Sequence, residues 1–289
     1  MSSFTESKSV TGLSQTQSRW LEALKYIGLT LLTLLWLLPV IAALITSFRT
    51  MDDITLNGFW SLPSQLVLDN FITAWTNARV SRYLLNSFII TLPALVGMLF
   101  LSSLSAYALA RFRFRGNLFL YFMYVAGTML PFQILMLPVF RLTNALGLFD
   151  TYASLILIHT AFQLGFCTFV LRNFMRTVPH EILDAARVDG CSEFRIYWQI
   201  ILPLTLPALA ALATLEFTWV FNDYLWAIIL LRSDTLRPVT AGLATLRGQF
   251  NTDWPVITAG ALLATIPTLI VFVFLQRYFI QGLTLGSSK

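Results

Sequence analysis

The chain has 289 residues, of which 57% are apolar and only 11% charged, and its mean hydropathy is +0.73. A soluble core of this length needs a polar shell that so little charge cannot supply, so the composition excludes a soluble globular domain and points to a polytopic membrane protein. The net charge of +5 and isoelectric point near 9.4 come without a basic, aromatic-interleaved patch, which excludes nucleic acid as a partner and leaves the basic residues as topology-setting charges in loops.

Residues 1–20 are polar, rich in Ser and Thr, and read as an N-terminal tail. Crossing the hydrocarbon core takes about 20 apolar residues. Six stretches qualify, at about 21–48, 83–110, 117–140, 151–171, 204–231 and 256–279. The first is too long for a signal-peptide apolar region and reads as a retained span. The third is interrupted by Pro131 and Pro138. Barrel strands would alternate and run to about ten residues. The expected fold class is therefore all-α, with six transmembrane helices in a membrane domain over 21–281 and a C-terminal tail over 282–289.

Orientation follows from the connections. With the N-terminus inside, the inner segments carry twelve Lys and Arg and the outer ones seven, and the tight RFRFR cluster at 111–115 falls inside. Both termini are thus expected on the cytoplasmic side. The outer segment 49–82 carries Phe59, Trp60 and Trp75, which suit either an ordinary aromatic belt, the simpler reading, or a short interfacial helix. In the outer segment 232–255, Arg237-Pro238 and Asp253-Trp254-Pro255 read as turns. Cys167 falls in a span and Cys191 in an inner loop, so no disulfide is expected between them, and no Cys/His cluster suggests a metal.

The one sizeable polar segment on the inner side is 173–203, centred on PHEILDAARVDGCSEFRIYWQIILP at 179–203. Pro179 suits the first turn of a helix, with Glu181 and Asp184 near its positive end. Ile182, Ala185, Ala186 and Asp189 fall along one side, where the two alanines leave a flat surface. Asp189-Gly190 ends that helix with a left-handed cap, and Ser192 can cap the next. The second helix carries Phe194, Ile196, Tyr197, Trp198, Ile200 and Ile201, and is expected to pack against the inner ends of the spans.

This segment resembles the EAA loop of bacterial ABC importer permeases: Glu-Ala-Ala, three residues, Gly, nine residues, then Ile-x-Leu-Pro. Asp184, Ala185 and Ala186 stand for Glu-Ala-Ala, Gly190 is the glycine, and Ile200, Leu202 and Pro203 close the pattern. The glutamate position holds an aspartate, one methylene shorter, with Glu181 one turn earlier. The resemblance covers nearly the whole chain and is to the maltose-permease-G-like, carbohydrate-importing branch. Asn86-Ser87, AYALARFRFRG at 106–116, LPFQILMLPVF at 130–140, GLFDT at 147–151, FNDYLW at 221–226 and QRYFIQGLTLGSSK at 276–289 also carry it.

The resemblance implies a subunit of the bacterial plasma (inner) membrane that pairs with a second, related permease. It also implies two ATPase subunits below and an extracytoplasmic substrate-binding protein above. In that family a coupling helix docks on the ATPase, which here implies Glu181, Asp184, Ala185, Ala186, Asp189 and Gly190. The tail at 282–289 is either a further ATPase contact or a frayed end. No GxxxxGK[ST] occurs, so ATP and Mg are expected on the partner ATPase and no cofactor on this chain.

Ionisable groups inside spans are costly and suggest function. Glu216, Asp223 and His159 are such groups. Trp219, Asn222, Asp223 and Trp226 bring aromatic faces, an amide and a carboxylate together, which suits stacking on a sugar ring and hydrogen bonding to its hydroxyls. They suit equally a role in holding spans together or in facing the partner permease. The alternative function is an ion-coupled secondary transporter or channel using Glu216 or Asp223. An intramembrane enzyme has no support, since the chain lacks GxSxG and HExxH.

Overall fold

The structure, a computed structural model, describes residues 15–246 and 252–284, and every regular element among them is helical. In chain order these are α1 (Gln15–Ser47), α2 (Met51–Asn57), α3 (Asp69–Thr76), α4 (Val80–Arg111), α5 (Asn117–Thr128), α6 (Phe132–Ala145), α7 (Tyr152–Met175) and α8 (His180–Val188). They continue with α9 (Glu193–Leu204), α10 (Leu206–Phe221), α11 (Leu225–Leu230), a 3-10 turn at Asp234–Leu236, α12 (Val239–Thr245) and α13 (Trp254–Thr284). Among the described residues four helices are long and apolar enough to cross a membrane, and two bent pairs bring the number to six if each counts as one span. A lipid-facing backbone must satisfy its own hydrogen bonds, and the helix does so within one segment.

The core is built on α4 and α7. Ala94, Met98 and Ala106 of α4 meet Leu155, Cys167 and Leu171 of α7, all fully enclosed. Small residues let the backbones close up, since lipid tails already satisfy apolar side chains and packing drives association. Gly165 is the tightest point on α7: a Cβ there would lie 2.8 Å from the Tyr124 carbonyl oxygen, so any side chain would push α5 away. Helix α10 packs between α4 and α13, joined by the Phe88, Phe217 and Phe221 rings. Helix α1 leans on α13 and otherwise presents apolar side chains outward as far as Leu44, while Thr46 and Ser47 at its end are buried.

Two expected spans are not single helices. Over 117–140 the chain breaks at Met129–Pro131, and α5 and α6 stand at 99°. Pro131 lacks an amide hydrogen and disfavours helical geometry at Leu130, so the helix stops there, whereas Pro138 is accommodated inside α6. Over 204–231 the chain bends by 69° at Thr205, between α9 and α10. Pro203 and Pro207 flank the bend and withhold two amide donors, while the Thr205 hydroxyl donates to the Ile201 carbonyl at 2.5 Å. Helix α10 then stops at Phe221, and a separate short helix, α11, follows.

The end of the bundle away from α8 is closed by hydrogen bonds that the sequence reading did not anticipate. Asn86 donates to the carbonyls of Thr235 and Arg237 at 3.0 and 2.8 Å and accepts from the Tyr152 hydroxyl at 2.7 Å. Ser87 Oγ accepts from the Val239 amide at 2.9 Å. The 49–82 segment forms α2 and α3 rather than only a belt, organised by an enclosed Arg49. Its guanidinium reaches the Asp53 carboxylate at 2.5 Å, Ser61 at 2.6 Å and three backbone carbonyls. Asp53-linked hydrogen bonds from Arg49 and Asn57 hold that carboxyl down at about 2. Asp253-Trp254-Pro255 is a helix start rather than a turn: Asp253 accepts from the Val256 amide at 3.2 Å at the head of α13. Helix α1 begins at Gln15, inside the expected tail, and residues 282–284 continue α13; the rest of both tails lies outside the described residues.

Candidate functional site

The segment after α7 folds as helix, turn, helix. Pro179 is the cap residue of α8, with extended backbone (φ −57°, ψ 141°), one position before the first turn where it was expected. Helix α8 ends in a paired cap: the Gly190 amide donates to the Arg187 carbonyl and the Cys191 amide to the Ala186 carbonyl, both at 3.0 Å. Gly190 takes φ +80°, which a side chain would resist. Ser192 caps α9, its hydroxyl accepting from the Arg195 amide at 3.4 Å.

The buried stripe of α8 is Leu183 and Ala186, packed with Met175, Val178 and Ile196 in the main core. The flat two-alanine side is therefore not formed: Ala186 points inward while Glu181, Ile182, Asp184, Ala185 and Asp189 face out. A 100° step between neighbours on a helix separates Ala185 from Ala186. On α9, Ile196, Tyr197 and Ile201 are enclosed, and the Tyr197 hydroxyl lies 2.7 Å from Ser103 Oγ on α4. Residues Tyr197–Ile201 form a π-helical turn. Phe194 and Trp198 do not pack on the spans as expected; they stay exposed, at 70% and 51%, with nearly parallel rings.

An ion-pair chain holds this segment in shape. Arg187 donates to Asp184 Oδ1 and to Glu193 Oε1, both at 2.8 Å, and Tyr107 of α4 donates to Glu193 Oε2 at 2.8 Å. The Arg187 hydrogen bond holds the Glu193 carboxyl below its ordinary value against the opposing effect of burial, and the Tyr107 bond adds to it. Asp184 thus pairs within its own helix through Oδ1 while its side chain stays largely exposed. Arg187, Glu193 and Tyr107 were not singled out from sequence; the only local sign was the Asp184–Arg187 spacing.

The remaining candidates converge elsewhere. His159, Glu216, Trp219, Asn222, Asp223 and Trp226 all line one cavity of about 1010 Å³, at the α5–α6 break and between α7 and the end of α10. Trp226 is enclosed between the Phe132 and Phe162 rings, whereas Trp219 is 61% exposed. Asp223 caps α11, accepting from the Trp226 and Ala227 amides at 3.4 and 3.1 Å, and His159 Nε2 lies 3.6 Å from its carboxylate. Asn222 donates to the Thr218 carbonyl at 2.9 Å. Glu216 is buried beside the Cys167 thiol, and its Oε2 has no hydrogen-bond partner among the described residues. Gln163, Phe162 and Phe166 also line the cavity and were missed. The polar Gln163 inside an apolar span was the available signal. Both cysteines are free.

The α8–α9 segment leads into the start of α10, and the cavity lies along its second half, beginning at Thr214 about 12 Å from Leu206 at 1.5 Å per residue. A helical membrane bundle with a largely aromatic cavity carrying a few polar groups at one level and a protruding helix pair at the other suits a polytopic transport protein. The chain belongs to the family described as binding-protein-dependent transport system inner membrane components, which matches residues 98–285. It is therefore a multi-pass inner-membrane protein, of a family of transport components rather than enzymes. An arabinooligosaccharides transport system permease, AraQ of Halalkalibacterium halodurans, is 37% identical over 266 residues, 91% of this chain and 95% of that one. A diacetylchitobiose uptake system permease, NgcG of Streptomyces coelicolor, is 30% identical over 276 residues, 95% and 91% of the two chains. In fold, the chain matches a bacterial ABC transporter that imports alginate, with a TM-score of 0.83 at 23% identity, over 93% of this chain and 100% of that one. Family membership favours the importer reading over an ion-coupled transporter.

Proposed function

We propose that this chain is a permease subunit of an ATP-binding-cassette importer that moves an oligosaccharide or related carbohydrate inward, with the α8–α9 segment as the element on which a partner ATPase acts. The observation that carries this reading is a helix pair with an enclosed inner face and an exposed outer one. The outer face combines the acids Glu181, Asp184 and Asp189 with the apolar Ile182, Val188, Phe194 and Trp198. Exposed apolar groups ringed by charge suit a protein partner. Because Gly190 closes the cap and Tyr107 ties Glu193 to α4, a push on this pair reaches the bundle as a rigid-body displacement. ATP and Mg belong to the partner, a second permease completes the pathway, and a substrate-binding protein delivers the cargo from the side opposite α8. That orientation puts both termini in the cytoplasm.

The cavity is the cargo path. Trp219 supplies an accessible aromatic face and Asn222 a hydrogen-bonding group for sugar hydroxyls, while Glu216 lies enclosed behind them. The relatives named for arabinooligosaccharides and diacetylchitobiose support a neutral oligosaccharide. The test is ATP-driven sugar uptake by the reconstituted complex. Asp184→Arg should leave ATPase activity in place and abolish uptake; uptake at the unaltered rate would refute the assignment of the docking face.

A further inference from the structure

A second concavity, of about 950 Å³, opens at the α8 end of the bundle, where α4 and α7 end and α5 begins. Five guanidiniums line it, from Arg111, Arg113, Arg115, Arg172 and Arg176, with His180 at its edge, and among the described residues no carboxylate does. The fold accounts for two of the five. Arg172 is buried, donates to the Leu109 carbonyl at 3.3 Å and stacks 3.9 Å over the Tyr121 ring. Arg111 donates to the Met175 and Val178 carbonyls, which anchors the loop before α8. Its Nε and Nη1 have no acceptor and are too enclosed to touch a ligand, so its charge adds only to the field.

Arg113, Arg115 and Arg176 are different. All three are exposed, and their guanidiniums make no hydrogen bond or ion pair among the described residues. Like charges gathered in a concavity repel one another, and a bound anion removes that cost. The start of α5 adds to the field: Gly116 caps it without a side-chain acceptor, so the positive end of a 12-residue helix opens into the same space. We propose that this pocket binds the phosphate of an anionic phospholipid headgroup.

Lipid is favoured over free phosphate by what surrounds the charges. Phe112, Phe114, Leu118 and Phe119 line the same pocket and are 38%, 42%, 60% and 70% exposed. They sit where the apolar runs of α4 and α5 end, which is the level of a membrane interface. Acyl chains would cover these side chains while the headgroup met the guanidiniums, and basic pockets between membrane helices are suited to such headgroups. A free phosphate would satisfy only the charges.

The test uses the full chain, purified in detergent and offered phosphatidylglycerol or phosphatidylcholine, with retained lipid counted by native mass spectrometry. The unaltered chain should retain phosphatidylglycerol in preference. Loss of a guanidinium near an anionic lipid weakens binding about fivefold, so the triple variant R113Q/R115Q/R176Q should bind it about 100-fold more weakly. The charge-keeping variant R113K/R115K/R176K should keep the preference. Equal retention by the unaltered chain and the Gln triple would overturn the proposal, as would loss of preference in the Lys triple as complete as in the Gln triple. Displacement of phosphatidylglycerol by excess inorganic phosphate would overturn the lipid assignment and make this a free-anion site.

Discussion

The Tyr107 hydroxyl donates to Glu193 across 2.8 Å, joining the end of α4 to the first turn of α9 over 86 residues of chain. A hydrogen bond to a charged group contributes about 1.5–3 kcal/mol, and the half-exposed carboxylate brings this to about 1–2 kcal/mol. Tyr107→Phe should lower thermal stability by that amount and reduce ATP-driven uptake several-fold while the complex still hydrolyses ATP. Unchanged uptake would mean that the force does not pass through this bond. Because the Glu193 carboxyl is held below its ordinary value of 4.5, its stabilising contribution is complete above that pH. It is lost as the pH falls through the lowered value, and Glu193→Gln should remove that acid-side sensitivity from a thermal-shift profile.

Gly190 tests the shape of the turn apart from its contacts. A Cβ there would meet nothing within 4 Å, so the cost of a side chain is entirely one of backbone conformation at φ +80°. Gly190→Ala should destabilise by about 1–2 kcal/mol and Gly190→Asn by less. Gly190→Pro cannot adopt a positive φ and removes the amide that closes α8 on Arg187. It should insert normally in the membrane yet fail to take up sugar, as read from uptake per molecule of membrane-extracted protein.

Asp223 and Trp219 line the same cavity but should respond differently. Asp223 caps α11, so Asp223→Ala should cost about 1–2 kcal/mol of stability, visible in thermal unfolding without sugar. Trp219 is mostly exposed in the single chain, so Trp219→Ala should leave unfolding unchanged within about 0.5 kcal/mol and lower uptake instead. The reverse pattern would make Trp219 a packing residue and remove it from the cargo path.

At the other end, Arg49 makes five hydrogen bonds from a fully enclosed side chain. Arg49→Lys keeps the charge but cannot reproduce that fork, and should expose the 50–68 segment to protease. Asp53, held at about 2, contributes fully above its ordinary 3.8. That contribution is lost progressively as the pH falls from about 3.8 through about 2, so proteolysis by an acid-active protease should rise across that interval and level off below it.

Local signals were the legible ones. Apolar runs marked the spans, Pro179, Asp189-Gly190 and Ser192 marked the helix-turn-helix, and the breaking power of Pro131 was visible though its 99° result was not. What stayed hidden depended on partners far along the chain. Asn86-Ser87 carried a resemblance without a physical reason until Thr235, Arg237 and Val239 were found against it. Arg49 read as a topology charge, yet it is the centre of a folded loop. Ala185 and Ala186 looked equivalent in sequence, and only the packing against Met175 and Val178 separates them. Asp223 looked like a ligand group because its capping role depends on α10 ending at Phe221, which the continuous apolar run conceals.

The 69° elbow at Thr205 gives the bundle a bell-crank. A push on the α8–α9 pair would meet α10 at an angle rather than end on, so a rigid-body displacement of the pair would carry a sideways component into α10. The prolines on either side leave that joint short of the internal bonds that would make it stiff. The second half of α10, which carries Glu216 and Trp219, would then move laterally, widening or narrowing the passage without any helix having to slide through the bilayer.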